Sequence, residues 1–432
     1  MKFKLVVSVL AATMFAAFPA WLRAQTKYNV VTLPTLGGSA AAANSINDRG
    51  WATGLANFAG DTVGHASLWL NFSRVRDLGA LGGQSANSAV AWPVKNDRGL
   101  VVGISDTADD NPFGEAFSCW PFFTPGSPTG KICKGFRWWD GRMEALPPFA
   151  GGYNSYATAA NNRDQIVGWA ENGVHDPTCN PSFQVLQFRA VIWQPDGEMR
   201  ELSPLPGDST SAATAINDRG DVVGISGACG MAVGGVSAAH AVLWHNGVPI
   251  DLGSFGGHSW NTPTAINNQG IVVGFSLPAS QDGTRNFQAF IWTVKSGIRP
   301  LGMPVDDIRS EALGINERGQ VVGLSRSPSG LRAIIWENGS FTDLNSLTLP
   351  GSPYLIFAND INNDGRIVGE AAIPNSTASP AYIAVPVHHG KETSKVGEGP
   401  QSSQEAQPLT LSSGREKRLE HRAFRFGIDP RD

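Results

Sequence analysis

The sequence predicts an all-β protein, a seven-bladed β-propeller of four-stranded blades, from its composition, a repeated phrase and the way the repeat ends. Gly accounts for 50 of 432 residues and charged residues for only 16%. No segment holds a long apolar period of 3.6 residues, which disfavours a helical protein. Phrases such as "AINDRGDVVGIS" recur along the chain. A fixed repeat of this kind indicates units that bury their faces only against their neighbours.

The repeated phrase is typical of a β-hairpin. Asn and Asp side chains can bond nearby backbone amides, and Gly can take the positive φ that closes a short turn. In the third copy Asp164 stands in place of the turn Gly, and Asp tolerates that conformation better than most residues. The turn Asn recurs seven times, as Asn47, Asn96, Asn161, Asn217, Asn267, Asn316 and Asn362.

A second phrase predicts two further strands in each copy. It is written "HASLW", "HAVLW" or "RAIIW", and it is followed by a turn and a segment such as "VRDLG" or "PIDLG". Four short strands and one Trp in a unit of about 40 to 50 residues match a propeller blade. Because the Trp recurs at one strand position, we interpret it as packing between blades and not as a carbohydrate-stacking ring. These residues are Trp69, Trp138, Trp193, Trp244, Trp292 and Trp336.

The two ends of the array predict how the ring closes. The seventh copy ends at "PAYIAV" without a fourth strand, whereas residues 28–38 form a surplus fourth strand without partners. We predict that residues 28–36 pair with the strand near residues 381–385. Closure of this kind hides the sheet edges that an open array would expose.

Taken together, "HASLW", "QAFIW", the "IND-G-VVG-S" phrases and the "DLG-LGG" exits resemble the HAF-repeat family of bacterial extracellular proteins. The resemblance covers about residues 28 to 386. It implies extracellular repeats and, by likeness to kelch-type blades, a propeller. It carries no catalytic residues to transfer. The chain departs from the family pattern in its seventh copy, which lacks the Trp.

The domain prediction has three parts. Residues 1–24 begin "MKFK" and continue with a short apolar run broken by Pro19, which is the pattern of a signal peptide; an uncleaved membrane anchor is the alternative. Residues 25–387 form the propeller. Residues 388–432 form a flexible polar tail, rich in Gly, Ser, Gln, Glu and Lys. We therefore expect a secreted or periplasmic monomer with no membrane span in the mature chain.

Insertions between the second and third strands mark the candidate binding face. From the strand Gly to the small residue of the second phrase, the connection spans 12, 32, 22, 17, 15, 10 and 12 residues in blades 1 to 7. The long ones are adjacent, in blades 2 to 4, and such insertions usually mark a binding face. The rings of the blade 2 insertion could form either a ligand platform or a self-packed cap. The candidate binding residues are Phe113, Phe117, Trp120, Phe122, Phe123, His175 and Phe183.

All four cysteines lie in these insertions. Four cysteines in an exported chain permit three pairings. Cys119 and Cys133 share one insertion, and Cys179 and Cys229 occupy equivalent loops of neighbouring blades. We therefore predict the disulfides Cys119–Cys133 and Cys179–Cys229.

Few residues point to cofactor chemistry. Asp360, Asn362 and Asp364 have the first spacings of a calcium loop, but Ala371 stands where its last ligand belongs, and a hairpin turn demands the same spacing. No motif of a hydrolase nucleophile, a zinc protease or a phosphate loop is present, so no catalytic residue, metal ligand or cofactor is predicted. With 33 basic and 37 acidic residues, nucleic acid is an unsuited partner.

Three functions stay open on the sequence alone. The favoured one is a binding module that presents the long loops of blades 2 to 4 to a glycan, an envelope component or a protein. The alternatives are a glycan-active hydrolase or lyase and a structural protein of the extracellular matrix. An enzyme should gather carboxylates or His at the mouth of the ring, and a matrix protein should assemble with concentration.

Overall fold

A computed structural model describes residues 25–387, apart from 116–118, 124–127, 233–238, 282–283, 285, 329 and 374–375. The predicted signal peptide and tail lie outside the described residues. In the described part, the chain forms a seven-bladed β-propeller of four-stranded antiparallel blades. No helix among the described residues is long and apolar enough to span a bilayer.

In blades 1 to 6 the strands follow one another in chain order from the inner to the outer edge. Strand β1 (Lys27–Thr32) precedes the first blade. Blade 1 contains β2 (Gly37–Ile46), β3 (Ala52–Phe58), β4 (Gly64–Trp69) and β5 (Arg76–Asp77). Blade 2 contains β6 (Ser88–Ala89), β7 (Val101–Asp110), β8 (Lys131–Trp139) and β9 (Arg142–Ala145). Blade 3 contains β10 (Ser155–Ala160), β11 (Ile166–His175), β12 (Leu186–Trp193) and β13 (Met199–Leu202).

The remaining blades repeat this plan. Blade 4 contains β14 (Thr210–Ile216), β15 (Val222–Gly227), β16 (His240–His245) and β17 (Val248–Asp251). Blade 5 contains β18 (Thr262–Ile266), β19 (Val272–Ser276), β20 (Gln288–Thr293) and β21 (Gly297–Pro300). Blade 6 contains β22 (Arg309–Ile315), β23 (Val321–Ser327), β24 (Gly330–Glu337) and β25 (Ser340–Asp343). Blade 7 contains β26 (Tyr354–Ile361), β27 (Ile367–Ala372) and β28 (Ala381–Val387). The helical turns are α1 (Cys229–Ala232) and the 3-10 turns Trp120–Phe122, Ala279–Gln281 and Leu344–Leu347.

The N-terminal strand closes the ring, as the sequence predicts. Strand β1 pairs antiparallel with β28, from Lys27 opposite Val387 to Thr32 opposite Tyr382. It is the fourth and outermost strand of blade 7. The two ends of the described chain therefore meet in one sheet, and separating the blades requires breaking this pairing.

The turn Asn of the repeated phrase builds a hydrogen-bonded belt around the ring. Its Oδ1 accepts backbone N–H groups of its own turn, as Asn47 Oδ1 does from Trp51 N at 2.9 Å. Its Nδ2 donates to the carbonyl of the equivalent Asn in the next blade, at 2.7 to 3.2 Å. Asn362 Nδ2 completes the circle on Asn47 O at 3.0 Å. One side chain thus shapes the turn and joins two blades.

The residue after this Asn builds a second belt. Its backbone N–H donates to the side-chain oxygen of the equivalent residue in the next blade, at 2.7 to 2.8 Å. Only a side chain with an acceptor oxygen can serve, which explains why the repeat writes Asp, Asn or Glu here. The seven residues are Asp48, Asp97, Asn162, Asp218, Asn268, Glu317 and Asn363.

Two further features of the repeat have steric causes. The strand Gly lies beside an irregularity of the innermost strand, and a Cβ on Gly54 would collide with the carbonyl oxygen of Ala42. In the third turn, Asp164 adopts a positive φ of 58°, close to the 79° of Gly50 in the first turn. The repeated glycines therefore reflect close packing and turn geometry.

All six motif tryptophans are buried between blades. Four of their indole N–H groups donate to the carbonyl of a residue that lies 34 to 46 positions earlier in the chain, as Trp244 Nε1 does to Ser203 O at 2.7 Å. The rings belong to apolar clusters that span neighbouring blades. In these positions they contribute to packing and present no face to a ligand.

Candidate ligand-binding face

The propeller has two unlike faces. Because consecutive strands run antiparallel, the turns that carry the two Asn-based belts lie on one face, which we call the turn face. The connections from the second to the third strand lie on the opposite face, which we call the loop face. The connections between blades also emerge on the loop face.

The blade 2 insertion forms a cap on the loop face. Phe122 and Phe123 are each 4% exposed and pack in one apolar cluster with Trp92. Phe122 lies 6.4 Å from the Tyr156 ring, which stacks on Trp169 at 3.9 Å. The same cluster includes small residues of the innermost strands of blades 1, 2 and 4, namely Ala42, Ala89, Ala91 and Ala212. Because these strands leave room above them, the insertion buries its rings there.

This packing corrects one part of the predicted platform. Phe122 and Phe123 are candidates on the sequence, but their burial leaves them no face for a ligand. Trp120, in the 3-10 turn beside them, is half-buried. Phe117 lies outside the described residues. The insertion is thus a self-packed cap where these rings lie, the second of the two interpretations that the sequence allows.

Both predicted disulfides are present. The first joins Cys119 of the cap to Cys133 of β8, and the second joins Cys179 to Cys229, which lie in loops of blades 3 and 4. Thr178 reinforces the second link, since its Oγ1 accepts from Cys229 N at 3.0 Å. Each crosslink restricts a connection that otherwise loses considerable entropy on folding.

Beside the cap lies an exposed group of rings, Phe113, Tyr153 and His175, which we call the aromatic patch. Phe113 is 40% and Tyr153 37% exposed, and His175 is exposed as well. The Phe113 ring meets the Tyr153 ring edge to face at 5.9 Å and the His175 ring at 5.5 Å. Val174 adds apolar surface beside them. Three separate chain segments thus meet to form one ring-lined surface.

The sequence finds part of this patch. Phe113 and His175 are among the predicted residues, and Phe183 is half-buried in the blade 3 loop. Tyr153 is missing from the prediction because it lies in the link between blades 2 and 3 and not in an insertion. The signal that could have found it is topological, since links between blades emerge on the same face as the insertions.

Two glutamates lie buried beneath the patch. Glu115 of the cap is 3% and Glu171 of β11 is 0% exposed. Glu115 Oε1 accepts from the backbone of Val185 at 2.9 Å and of Leu186 at 2.8 Å. Glu171 Oε2 accepts from the backbone of Tyr153 at 3.1 Å. The two carboxylates therefore tie the cap, the inter-blade link and the blade 3 loop to one another.

Burial changes the acidity of several groups on this face. It raises the pKa of Glu171 to about 7, with a further contribution from nearby Glu115. Burial also raises the pKa of Asp106, in β7, to about 6, although Thr129 Oγ1 donates to its carboxylate at 3.0 Å. The Lys134 amine, in β8, has its pKa lowered by burial. Burial thus raises the pKa of two acid groups on the loop face.

The turn face has a narrower centre. A cavity of about 60 Å³ opens there, lined by the two belts and by Lys95. The Lys95 amine donates to the fully buried Asp360 carboxylate at 2.5 Å and to Ile361 O at 2.8 Å. The belt carboxylates lie along the circle and accept hydrogen bonds from the neighbouring blade. The side chains that line this opening are therefore held by one another.

The residues of the possible calcium loop lie in this braced region. Asp360 Oδ2 also accepts from Ile46 N at 2.9 Å. Asn362 belongs to the first belt, and Asp364 lies 3.6 Å from Arg366. Each of the three side chains thus has a different partner. Across the described ranges, no group of three or more His, Cys, Asp or Glu is placed to hold a metal ion.

Comparisons with known proteins find only distant structural similarity. No protein-family model matches the chain, and a search of curated proteins finds no match. The β-propeller domain of the Trilobed protease from Pyrococcus furiosus, described as having an open velcro topology, is 12% identical over 69% of this chain and 79% of its own, with a TM-score of 0.42. Virginiamycin B lyase from Staphylococcus aureus is 11% identical over 84% of this chain and 100% of its own, with a TM-score of 0.46. TolB from Acinetobacter baumannii is 10% identical over 79% of this chain and 64% of its own, with a TM-score of 0.40. At such low similarity no activity is transferred.

Proposed function

We propose that this protein is an exported binding module whose ligand lies across the aromatic patch of the loop face. The observation that supports the proposal most directly is the exposure of Phe113 and Tyr153 in edge-to-face contact, on a base fixed by two disulfides. Large rigid rings lose little side-chain entropy on binding, and a preformed base reduces the ordering cost further.

The chemistry of the surroundings favours a glycan. A pyranose ring offers an apolar C–H face that stacks on aromatic rings and a rim of hydroxyls that needs polar partners. Asp109, Asp110 and Lys131 are charged side chains on the neighbouring strands, and the Lys131 amine lies 2.7 Å from the Asp110 carboxylate. The Lys134 amine, in β8, donates to Tyr153 O and so brings a charged donor to the patch, as recognition of hydroxyls requires.

Export is part of the proposal. Disulfides persist in oxidising compartments, and both pairs of cysteines are bonded. Together with the N-terminal pattern and the resemblance to HAF repeats, this supports a secreted or periplasmic protein of that family. No resident cofactor is proposed.

A screen of the full chain on glycan and peptidoglycan arrays, followed by calorimetry with the best probe, tests the proposal. We expect Phe113→Ala and Tyr153→Ala each to weaken binding about tenfold or more, as expected of aromatic contacts at the centre of an interface. Phe341→Ala is a matched control, because Phe341 is 39% exposed on an outer strand of blade 6. Binding should survive in the control.

Two results would overturn the proposal. One is equal binding by the patch variants and the wild type. The other is the absence of any hit together with concentration-dependent assembly in light scattering, which would favour a matrix protein. Release of cleaved fragments from a bound glycan, measured by mass spectrometry, would instead indicate an enzyme.

A further inference from the structure

The buried glutamates beneath the aromatic patch share their hydrogen-bond donors. Asn154 Nδ2 lies 2.7 Å from Glu171 Oε1 and 3.3 Å from Glu115 Oε2. Gln184 Nε2 lies 2.8 Å from Glu171 Oε1 and 3.2 Å from Glu115 Oε1. The Asn154 amide and the Gln184 amide thus each donate to both carboxylates. Two negative charges held this closely, out of contact with water, repel each other strongly.

The pair is connected to every ring of the patch. Phe113 N donates to Asn111 Oδ1 at 2.9 Å, and Asn111 Nδ2 donates to Glu115 at 3.3 Å. Tyr153 N donates to Glu171 directly. His175 follows Glu171 on the same strand, β11. A change at the two carboxylates therefore acts on the three segments that assemble the patch.

We propose that Glu115 and Glu171 form a proton-operated latch, which holds the patch in its binding shape while one of the two is protonated and loosens it when both ionise. The inference rests on the proposed function, because it assigns pH regulation to that same site. The ligand should bind most tightly in mildly acid surroundings and less tightly above neutral pH.

The direction follows from the raised pKa of Glu171, about 7 against an ordinary value near 4.5. Between these values the folded protein holds a proton that the unfolded chain has released. Stability from this group is therefore greatest in acid and falls as the pH rises through about 7, after which it levels off. Lys134 of β8 lies close enough for its charge and that of Glu171 to act on each other. Besides Lys134, Glu115 of the cap acts on Glu171. Asp109 of β7 acts on Lys134, and His175 lies further along β11.

Hydrogen exchange of the full chain tests the latch without any ligand. The reporters are the backbone amides that donate to the two carboxylates, at Tyr153, Asn154, Val185 and Leu186. After correction for intrinsic rates, we expect their exchange to rise about tenfold or more between pH 5.5 and 8.5, since Glu171 loses its proton within this range. Unchanged protection across this range would overturn the proposal.

Variants assign the effect to the pair. Glu171→Gln keeps the size of the side chain but cannot ionise, so its exchange should lose the pH dependence. If that variant does not fold, Glu115→Gln replaces it, and the transition should then move to lower pH. Glu144→Gln is the matched control, because Glu144 is 53% exposed in a surface pair with Arg137 on the same blade, and it should behave as wild type.

His175 is itself a ring of the patch and needs its own test. A pH dependence that disappears in His175→Asn and persists in Glu171→Gln would overturn the latch. Calorimetry with the best array probe separates the two proposals. If the patch variants lose binding but pH has no effect, the latch fails and the binding function stands; if no probe binds, the exchange experiment still decides the latch.

Discussion

On the turn face, one asparagine and its successor repeat seven times and bond each other around the whole ring. On the loop face, insertions of unequal length from blades 2 to 4 meet once, and their cysteines and the cap rings share one apolar cluster. The first arrangement needs Asn at one position and a side chain with an acceptor oxygen at the next in every copy, because each link depends on its neighbour. The second needs only a rigid base, so its residues need not match from blade to blade. Repetition here maintains the scaffold, and the departures from repetition carry the candidate chemistry.

Opening the ring should have the largest effect on both faces. Deleting residues 25–36 removes β1 and with it Tyr28 and Leu33, which are 2% and 3% exposed. Burial of two such side chains contributes about 5 kcal/mol, and the exposed edge of β28 should promote aggregation. Thermal unfolding followed by circular dichroism should show Tm lower by about 10 °C or more. Val31→Ser, at a 36% exposed position of the same strand, is the control; a deletion variant that melts like the parent would refute the closure.

Breaking the disulfides should affect the loop face and leave the turn face unchanged. In the chain-entropy view a crosslink between residues 50 apart stabilises by about 4 kcal/mol and one between residues 14 apart by about 3 kcal/mol. The Cys179→Ser, Cys229→Ser pair should therefore lose about 1 kcal/mol more in urea unfolding than the Cys119→Ser, Cys133→Ser pair. Amide protection in the turn-face belts should stay unchanged in both. Loss of protection there would mean that the faces are not independent.

Removing one belt residue should reduce stability less than removing a disulfide does. Its effect should fall on the turn face and not on the loop face. Asn217→Ala deletes the link to Asn267 O at 3.1 Å and leaves two turn amides of its own blade without their acceptor. We expect a loss of about 2 to 3 kcal/mol in the free energy of unfolding with ligand binding unchanged. Asn71→Ala, an exposed site, should cost less than about 0.5 kcal/mol. A belt variant as stable as that control would show the belts to be dispensable.

The candidate site shows where sequence reasoning ends. The insertions and both disulfides follow from counting connections, and Phe113 is exposed in the first insertion. Phe122 and Phe123, in the same insertion, are buried instead, because they pack over small alanine side chains of the innermost strands. Composition of a loop cannot distinguish these outcomes, since burial depends on which surface the loop meets.

By itself, the sequence determined the blades, their number, the ring closure and the cysteine pairs. These features are local and periodic, so the same pattern can be recognised in every copy. The strand missing from the seventh copy matches the surplus strand at the N-terminus. Only the tertiary structure decided which rings stay exposed, and only it placed Glu115 against Glu171. Glu115 bonds Leu186, 71 positions further along the chain, and neither glutamate belongs to a repeated phrase. A contact made once, between segments that differ in every blade, has no periodic signal to predict it.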